Sequence, residues 1–259
     1  MFEYIEYAVS EGIATIRFDR PDVRNALEPG ILNEIETALK RVEADQDVYA
    51  VLLTGNGAAF SAGGDIDSVQ EWQESTLESF SEELECFQAI TSQLRSMGTP
   101  SIAAVNGPAV GAGCDIALAC DVRYMAPDAT LTEGFVTIGL VSGDGGAWLL
   151  ARLIGEARAK EYLLTGDPID AAKAEEIGLA SGISEEPVEA AREFGEKLTA
   201  LPARAIQRTN KLATSRPESF DDHLERATDS QWVCLQDEEH EQTLSARLEN
   251  REPDLDRPS

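Results

Sequence analysis

The sequence predicts an α/β fold, and three observations carry that expectation. Short apolar runs with the character of buried strands recur at residues 49–54, 101–105 and 122–125. Between them lie segments with apolar residues at helical spacing, beginning with Ile31, Leu32, Ile35, Leu39 and Val42. After Gly145 the strand signals give way to a series of helical patterns punctuated by Pro168, Pro187, Pro202 and Pro217. Strands that alternate with helices imply parallel pairing through helical crossovers. At 259 residues the chain can bury one sizeable core, so one main domain is the default.

In chain order, residues 5–9 and 13–18 read as a hairpin around Glu11 and Gly12, closed by Pro21. A helix over 31–42 feeds the strand at 49–54, and a long acidic amphipathic helix is expected from about 68 to 96. Strand 101–105, helix 113–120 and strand 122–125 follow. Helices are then expected at 146–155, 156–164, 170–177, 187–199, 202–213 and 219–249. The last nine residues, with two prolines and alternating charge, are expected to fray.

Hydrophobic residues form 42% of the chain and charged residues 27%, an ordinary globular composition. The sign of the charge is unusual: 48 Asp and Glu against 21 Lys and Arg give a net charge of -27, and the only lysines are Lys40, Lys160, Lys173, Lys197 and Lys211. Nucleic acid and anionic membranes are repelled by such a surface, so neither is expected as a partner. The carboxylates are spread along the chain and resemble the surfaces of proteins from high-salt cytoplasm, where the Debye length falls to about 3 Å at 1 M salt. No basic leader follows Met1 and no eighteen apolar residues run together, so a cytoplasmic protein is expected.

Several chemistries lose support from absent motifs. There is no GxSxG elbow around Ser61 or Ser142, no phosphate-loop lysine after a glycine run, and no GxGxxG. Cys86, Cys114, Cys120 and Cys234 lack metal or redox spacing, and His223 and His240 lie far from any glycine loop. No metal and no redox cofactor is implied. Trp148 and Trp232 read as core residues.

Two glycine-rich turns remain, in residues 51–66 and 101–124, and each runs from a short strand into a helix start. Backbone amides at a helix N-terminus are unsatisfied, and small residues let a ligand approach them closely. Two such amides converging on one point make an oxyanion hole; the other reading is a pair of tight connecting turns.

The blocks AFSAGGDI, NGPAVGAGCDIALACDVRY, GLVSGDGGAWLL and LTGDPIDAAKAEEIGLA, with RPDVRNAL near the start, resemble in order the signatures of the enoyl-CoA hydratase/isomerase (crotonase) family. The resemblance spans roughly residues 5–200 and implies a ββα spiral core over 1–195. It also implies a helical C-terminal region over 196–259 that assembles trimers, often as dimers of trimers. It implies an enzyme acting on acyl-CoA or enoyl-CoA, with coenzyme A entering as part of the substrate and no separate cofactor.

Carried across by position, the resemblance places the oxyanion-hole amides on Gly64 and Ala112, and substrate contacts on Ala58, Ala62, Asp65 and Ile66. Arg24 is the basic side chain nearest these blocks that could meet coenzyme A phosphates. The acid/base positions depart from the hydratase pattern of two glutamates: Asp115 stands at the first and Phe135 at the second. Asp144, one residue after the place of an aspartate in isomerase-like members, and Glu133, two residues before Phe135, are the other candidate carboxylates. An aspartate set among Cys114, Ile116, Ala117 and Leu118 needs a reason, so Asp115 is expected to matter most. The resulting expectation is an enoyl-CoA hydratase. A double-bond isomerase working with one carboxylate, or a catalytically silent acyl-CoA-binding protein, stands as the alternative.

Overall fold

The computed structural model describes residues 2–65, 72–215, 219–253 and 255. It opens with an antiparallel hairpin, β1 (Ile5–Ser10) and β2 (Ile13–Phe18), whose register runs from Ile5 opposite Phe18 to Ser10 opposite Ile13. Glu11 takes the left-handed conformation and Gly12 follows it, as a two-residue turn requires. Helix α1 (Pro29–Ala44) begins with proline in its first turn, where a missing N–H costs nothing, and buries Ile31, Leu32, Ile35, Leu39 and Val42. It leads to β3 (Ala50–Gly55), buried throughout.

The helix expected from about residue 68 runs instead as α2 (Leu77–Ser96); residues 68–71 lie outside the described part. Thr76 marks its start, its hydroxyl accepting the Ser79 N–H. Then come β4 (Ser101–Val105), β5 (Ala109–Val110), α3 (Ala112–Ala119), β6 (Val122–Met125) and β7 (Thr130–Thr132). They are followed by α4 (Gly146–Ile154), α5 (Glu156–Thr165), β8 (Ile169–Asp170), α6 (Ala171–Glu176) and β9 (Gly182–Ile183). The series closes with α7 (Pro187–Thr199), α8 (Ala203–Thr214), α9 (Phe220–Leu235) and α10 (Glu238–Leu248).

The main sheet has the order β1-β2-β3-β4-β6-β9, parallel from β2 onward, and a small sheet is ordered β5-β7-β8. One face of the main sheet carries the large core with α1, α2 and α3; the other carries Ile13, Leu52, Ile102 and Ala104 beneath α7. The domain boundary expected after residue 195 therefore falls within α7, which covers β2, β3, β4 and β6.

Three expectations are corrected. Strands do recur after Gly145, as the two-residue β8 and β9. The single helix expected over 219–249 is two, because Asp237 caps a new start by accepting the Glu239 N–H. Trp148 and Trp232 are 46% and 62% exposed, so neither is a core residue. No helix among the described residues is long and apolar enough to cross a membrane.

Candidate active site

The first glycine turn follows β3 and is held from below by Asn25. This side chain is fully buried in the left-handed conformation that asparagine tolerates. Its Nδ2 donates to the Asn56 and Ala59 carbonyls at 3.0 and 2.8 Å, and its Oδ1 accepts the Arg20 N–H at 2.9 Å. Ser61 Oγ donates to the Asn25 carbonyl at 2.8 Å and accepts the Gly63 N–H at 3.2 Å. Beyond this support, the chain pairs with Leu27 through the Gly63 carbonyl and the Asp65 N–H. Alternation along an extended backbone then turns the intervening Gly64 N–H to the opposite side, where it has no hydrogen-bond partner among the described residues.

The second turn lies against the first. Ser61 pairs with Ala109, the Val110 N–H donates to the Ser61 carbonyl at 2.9 Å, and Gly111 at φ 51° turns the chain into α3. A side chain on Gly63 would collide with the Val110 carbonyl and one on Gly113 with Ser61, so both glycines permit the close approach. Ala112 is the first residue of α3, and its N–H also lacks a partner among the described residues. The ideal Cβ position on Gly63 is 3.6 Å from the Ala112 nitrogen, which measures how nearly the two turns meet. The positive end of the α3 dipole adds to the field at this point.

Gly64 and Ala112 both line a cavity of about 480 Å³, with Ala62, Gly63, Val110 and Gly111 beside them. Trp72, Phe80, Leu84, Phe87, Phe135, Leu140 and Val141 form much of the remaining wall, and Asp144 is its one carboxylate among the described residues. Asp144 is 6% exposed and its Oδ2 has no hydrogen-bond partner. Burial, and then the nearby Asp115, push its carboxyl up to about 7. Its turn is pinned by Thr91 of α2, whose hydroxyl donates to the Asp144 carbonyl at 2.7 Å. Asp144 and Gly143 also border an outer groove with Gln88, Ser92, Arg95 and Trp148.

The structure places the other sequence-derived candidates as follows. Asp115, in the first turn of α3, is fully buried and stands behind the cavity wall, outside the cavity lining. Its Oδ2 accepts the Ser142 hydroxyl at 3.3 Å. Glu133 is equally inaccessible at 3% exposure and also lies outside the lining. Burial, followed by Glu133, holds the Asp115 carboxyl well above the usual carboxylate range, and burial raises Glu133 as well. Phe135 does line the cavity, with its ring tip 3.5 Å from where a Gly111 Cβ would sit. Ala62 lines it too, whereas Ala58 is exposed outside it. Arg24 is exposed and contributes its backbone carbonyl to the Ala62 N–H; its guanidinium does not reach the cavity. Asp65 ties the turn to Leu27 through its N–H, and Ile66 lies outside the described residues.

Asn25, Ser61, Thr91, Ser142 and Gly146 serve the site without having been singled out by the sequence. Asn25 belongs to the RPDVRNAL block and Ser142 and Gly146 to the GLVSGDGG block, so the blocks marked the neighbourhood. Among the described residues no cluster of His, Cys, Asp and Glu has the arrangement of a metal site.

Comparison with known proteins shows the family to which this fold belongs. The family model described as Enoyl-CoA hydratase/isomerase matches residues 8–257. YhaR of Bacillus subtilis (strain 168), assigned by name to the enoyl-CoA hydratase/isomerases, is 34% identical over 253 residues, covering 97% of this chain and 98% of YhaR. A 4-chlorobenzoyl coenzyme A dehalogenase of Arthrobacter sp. is 36% identical over 202 residues, 77% of this chain and 73% of the dehalogenase. The crystal structure of an enoyl-CoA hydratase from Bacillus anthracis superposes with a TM-score of 0.91 at 27% identity, covering 97% of this chain and 98% of that one.

Proposed function

The chain belongs to the enoyl-CoA hydratase/isomerase family and has its crotonase fold, and on that premise we propose that it shifts the double bond of an enoyl-CoA with one carboxylate, Asp144, as its base. The observation that carries this reading is the placement of Asp144 on the wall of the cavity that Gly64 and Ala112 also line. The thioester carbonyl oxygen accepts both N–H groups, so the negative charge that builds on it when the α-proton leaves is met by donors already in place; removing one such donor costs about 100-fold to 1000-fold in rate. Asp144 takes the α-proton of a 3-enoyl thioester, the electron pair spreads over the dienolate, and the same carboxyl returns the proton at the γ-carbon. No other reactant is consumed. A carboxyl held at about 7 is suited to both halves of that exchange near neutral pH. The apolar Phe135 stands where a second glutamate would serve a two-carboxylate hydration.

Hydration is the second reading, favoured by the hydratase name of the Bacillus anthracis structure and by the outer groove that Asp144 borders in addition to the cavity. Mass spectrometry of a 3-enoyl-CoA incubated with the protein separates the two. Isomerisation to the 2-enoyl thioester is expected to exceed formation of the 3-hydroxyacyl thioester. Asp144→Asn is expected to lower turnover about 100-fold or more while acyl-CoA affinity changes little. Predominant hydration by the wild type would select the second reading, and loss of activity in Asp115→Asn but not in Asp144→Asn would move the base to α3.

A further inference from the structure

We propose that Asp115 and Glu133 form a buried pair of carboxyls that share one proton in the space left by the missing side chain of Gly146, and that the charge remaining on the pair helps to set the pH at which Asp144 becomes a base. The pair itself is a matter of geometry; the consequence for Asp144 rests on the function proposed above.

The two side chains come from separate elements, Asp115 from the first turn of α3 and Glu133 from the residue following β7. They converge on Gly146, the first residue of α4, where a methyl group would overlap both Asp115 Oδ1 and Glu133 Oε1. Only a glycine fits beneath them. Neither of these oxygens, nor Glu133 Oε2, has a partner in good hydrogen-bond geometry; the donors nearby are the Gly146 N–H beside Asp115 and the Cys114 thiol beside Glu133. A poorly satisfied buried acceptor is costly, and a weak thiol donor and one backbone N–H do not fill the acceptor capacity of two carboxyls. Each carboxyl also lies within reach of the other, and two carboxyls bond to one another only when one of them keeps its proton.

Electrostatics gives the same answer. Two bare carboxylates in contact, away from water, repel strongly, and no Lys, Arg or His among the described residues forms an ion pair with either. The titratable groups that face the pair are the Cys114 thiol on α3 and Asp144 on the turn before α4; Arg95 of α2 borders the outer groove beside Asp144. The Cys114 thiol is itself pushed well up, first by burial and then by Glu133 and Asp115. One proton therefore stays in the pair and one negative charge stays with it. That charge adds to burial in opposing the ionisation of Asp144, so removing it lets Asp144 act as a base at lower pH. Glu133 never touches the substrate in this account, since it lies outside the cavity lining.

Infrared difference spectroscopy of the substrate-free protein tests the pair independently of catalysis. At pH 9, where Asp144 is ionised, a protonated-carboxyl stretch that shifts on transfer to heavy water is expected to persist in the wild type. It is expected to move or vanish in Glu133→Gln. No such band in the wild type, or the same band at the same position and intensity in Glu133→Gln, would overturn the pair. For the consequence at Asp144, the ascending limb of kcat/KM against pH is expected to move about one unit lower, the scale on which one neighbouring charge moves a carboxyl, in the double variant Asp115→Asn, Glu133→Gln, which removes the charge of the pair altogether. An unmoved limb in a double variant with wild-type circular dichroism would reject the coupling between the pair and Asp144. A protein that shows the band but isomerises nothing would keep the pair and lose the function proposed above.

Discussion

Asp144 should leave a mark on stability opposite in sign to that of a salt-bridged carboxylate. Its folded-state value of about 7 stands above the ordinary 3.8. Below pH 4 both folded and unfolded chains hold this proton and the residue contributes nothing to pH dependence. Between about 4 and 7 the unfolded chain has released the proton while the folded one retains it, so stability falls as pH rises, and above 7 the full cost is present. Asp144→Asn should therefore be more stable than the wild type at pH 8, by up to about 4 kcal/mol at roughly 1.4 kcal/mol per pH unit separating the two states, and the difference should close by pH 4. Thermal melts of both proteins across that range check it; a variant no more stable at pH 8 would mean that Asp144 is not held neutral by burial. At this scale the sequence was informative about kind and less so about place. The apolar neighbours of Asp115 announced a buried carboxylate, but its position behind the wall depends on how α3 packs against α4, which no local pattern records. Glu133 could be named only as a candidate carboxylate, because its partner lies 18 positions away and the glycine that accommodates both lies beyond either.

Helix α3 is the element on which the site turns. All eight of its residues are buried; its N-terminus offers the Ala112 amide, and its C-terminus is tied down by the buried Arg123. The Arg123 guanidinium donates to the Ala117, Leu118 and Cys120 carbonyls at 3.2, 3.4 and 2.6 Å and to the Leu179 carbonyl at 2.7 Å. Gly113→Ala sets two effects against each other. Alanine gains about 1 kcal/mol in helix propensity, but its methyl would lie 2.6 Å from Ser61 Cβ and 2.8 Å from the Ser61 carbonyl oxygen, and backbone cannot swing aside. Overpacking of this kind costs about 1–3 kcal/mol, so the variant is expected to be less stable by denaturant unfolding and to lose kcat more than KM as the two turns separate. A more stable, fully active Gly113→Ala would show that the close approach is not required. The longer elements were legible from their spacing, β4 and β6 to the residue. The strands β5, β7, β8 and β9, two or three residues each, were not, because so short a run has no period to detect and exists only through its partners.

For the whole molecule, the net charge of -27 was plain from composition, and its consequence is physical. Unscreened self-repulsion opposes both the compact state and assembly. The C-terminal helices leave Phe220, Leu224, Trp232, Leu235 and Leu248 exposed, between 47% and 76%, on the region that the family resemblance assigns to trimer contacts. Sedimentation velocity in molar potassium chloride is expected to give a trimer or dimer of trimers that dissociates as salt is diluted toward 10 mM, where the Debye length grows to about 30 Å. A monomer in molar salt would contradict the assembly, and a salt-independent trimer would contradict the electrostatic account.

The central claim is that the Gly64 and Ala112 amides and the Asp144 carboxyl together make an α-proton of a CoA thioester removable. The most direct measurement is deuterium incorporation at the α-carbon of a saturated acyl-CoA in heavy water, followed by mass spectrometry, since exchange needs the base and the oxyanion donors and nothing else. The wild type should incorporate deuterium and Asp144→Asn should be slower by about 100-fold or more, while both bind the thioester. Tight binding with no exchange by the wild type, or equal exchange by Asp144→Asn, would contradict it.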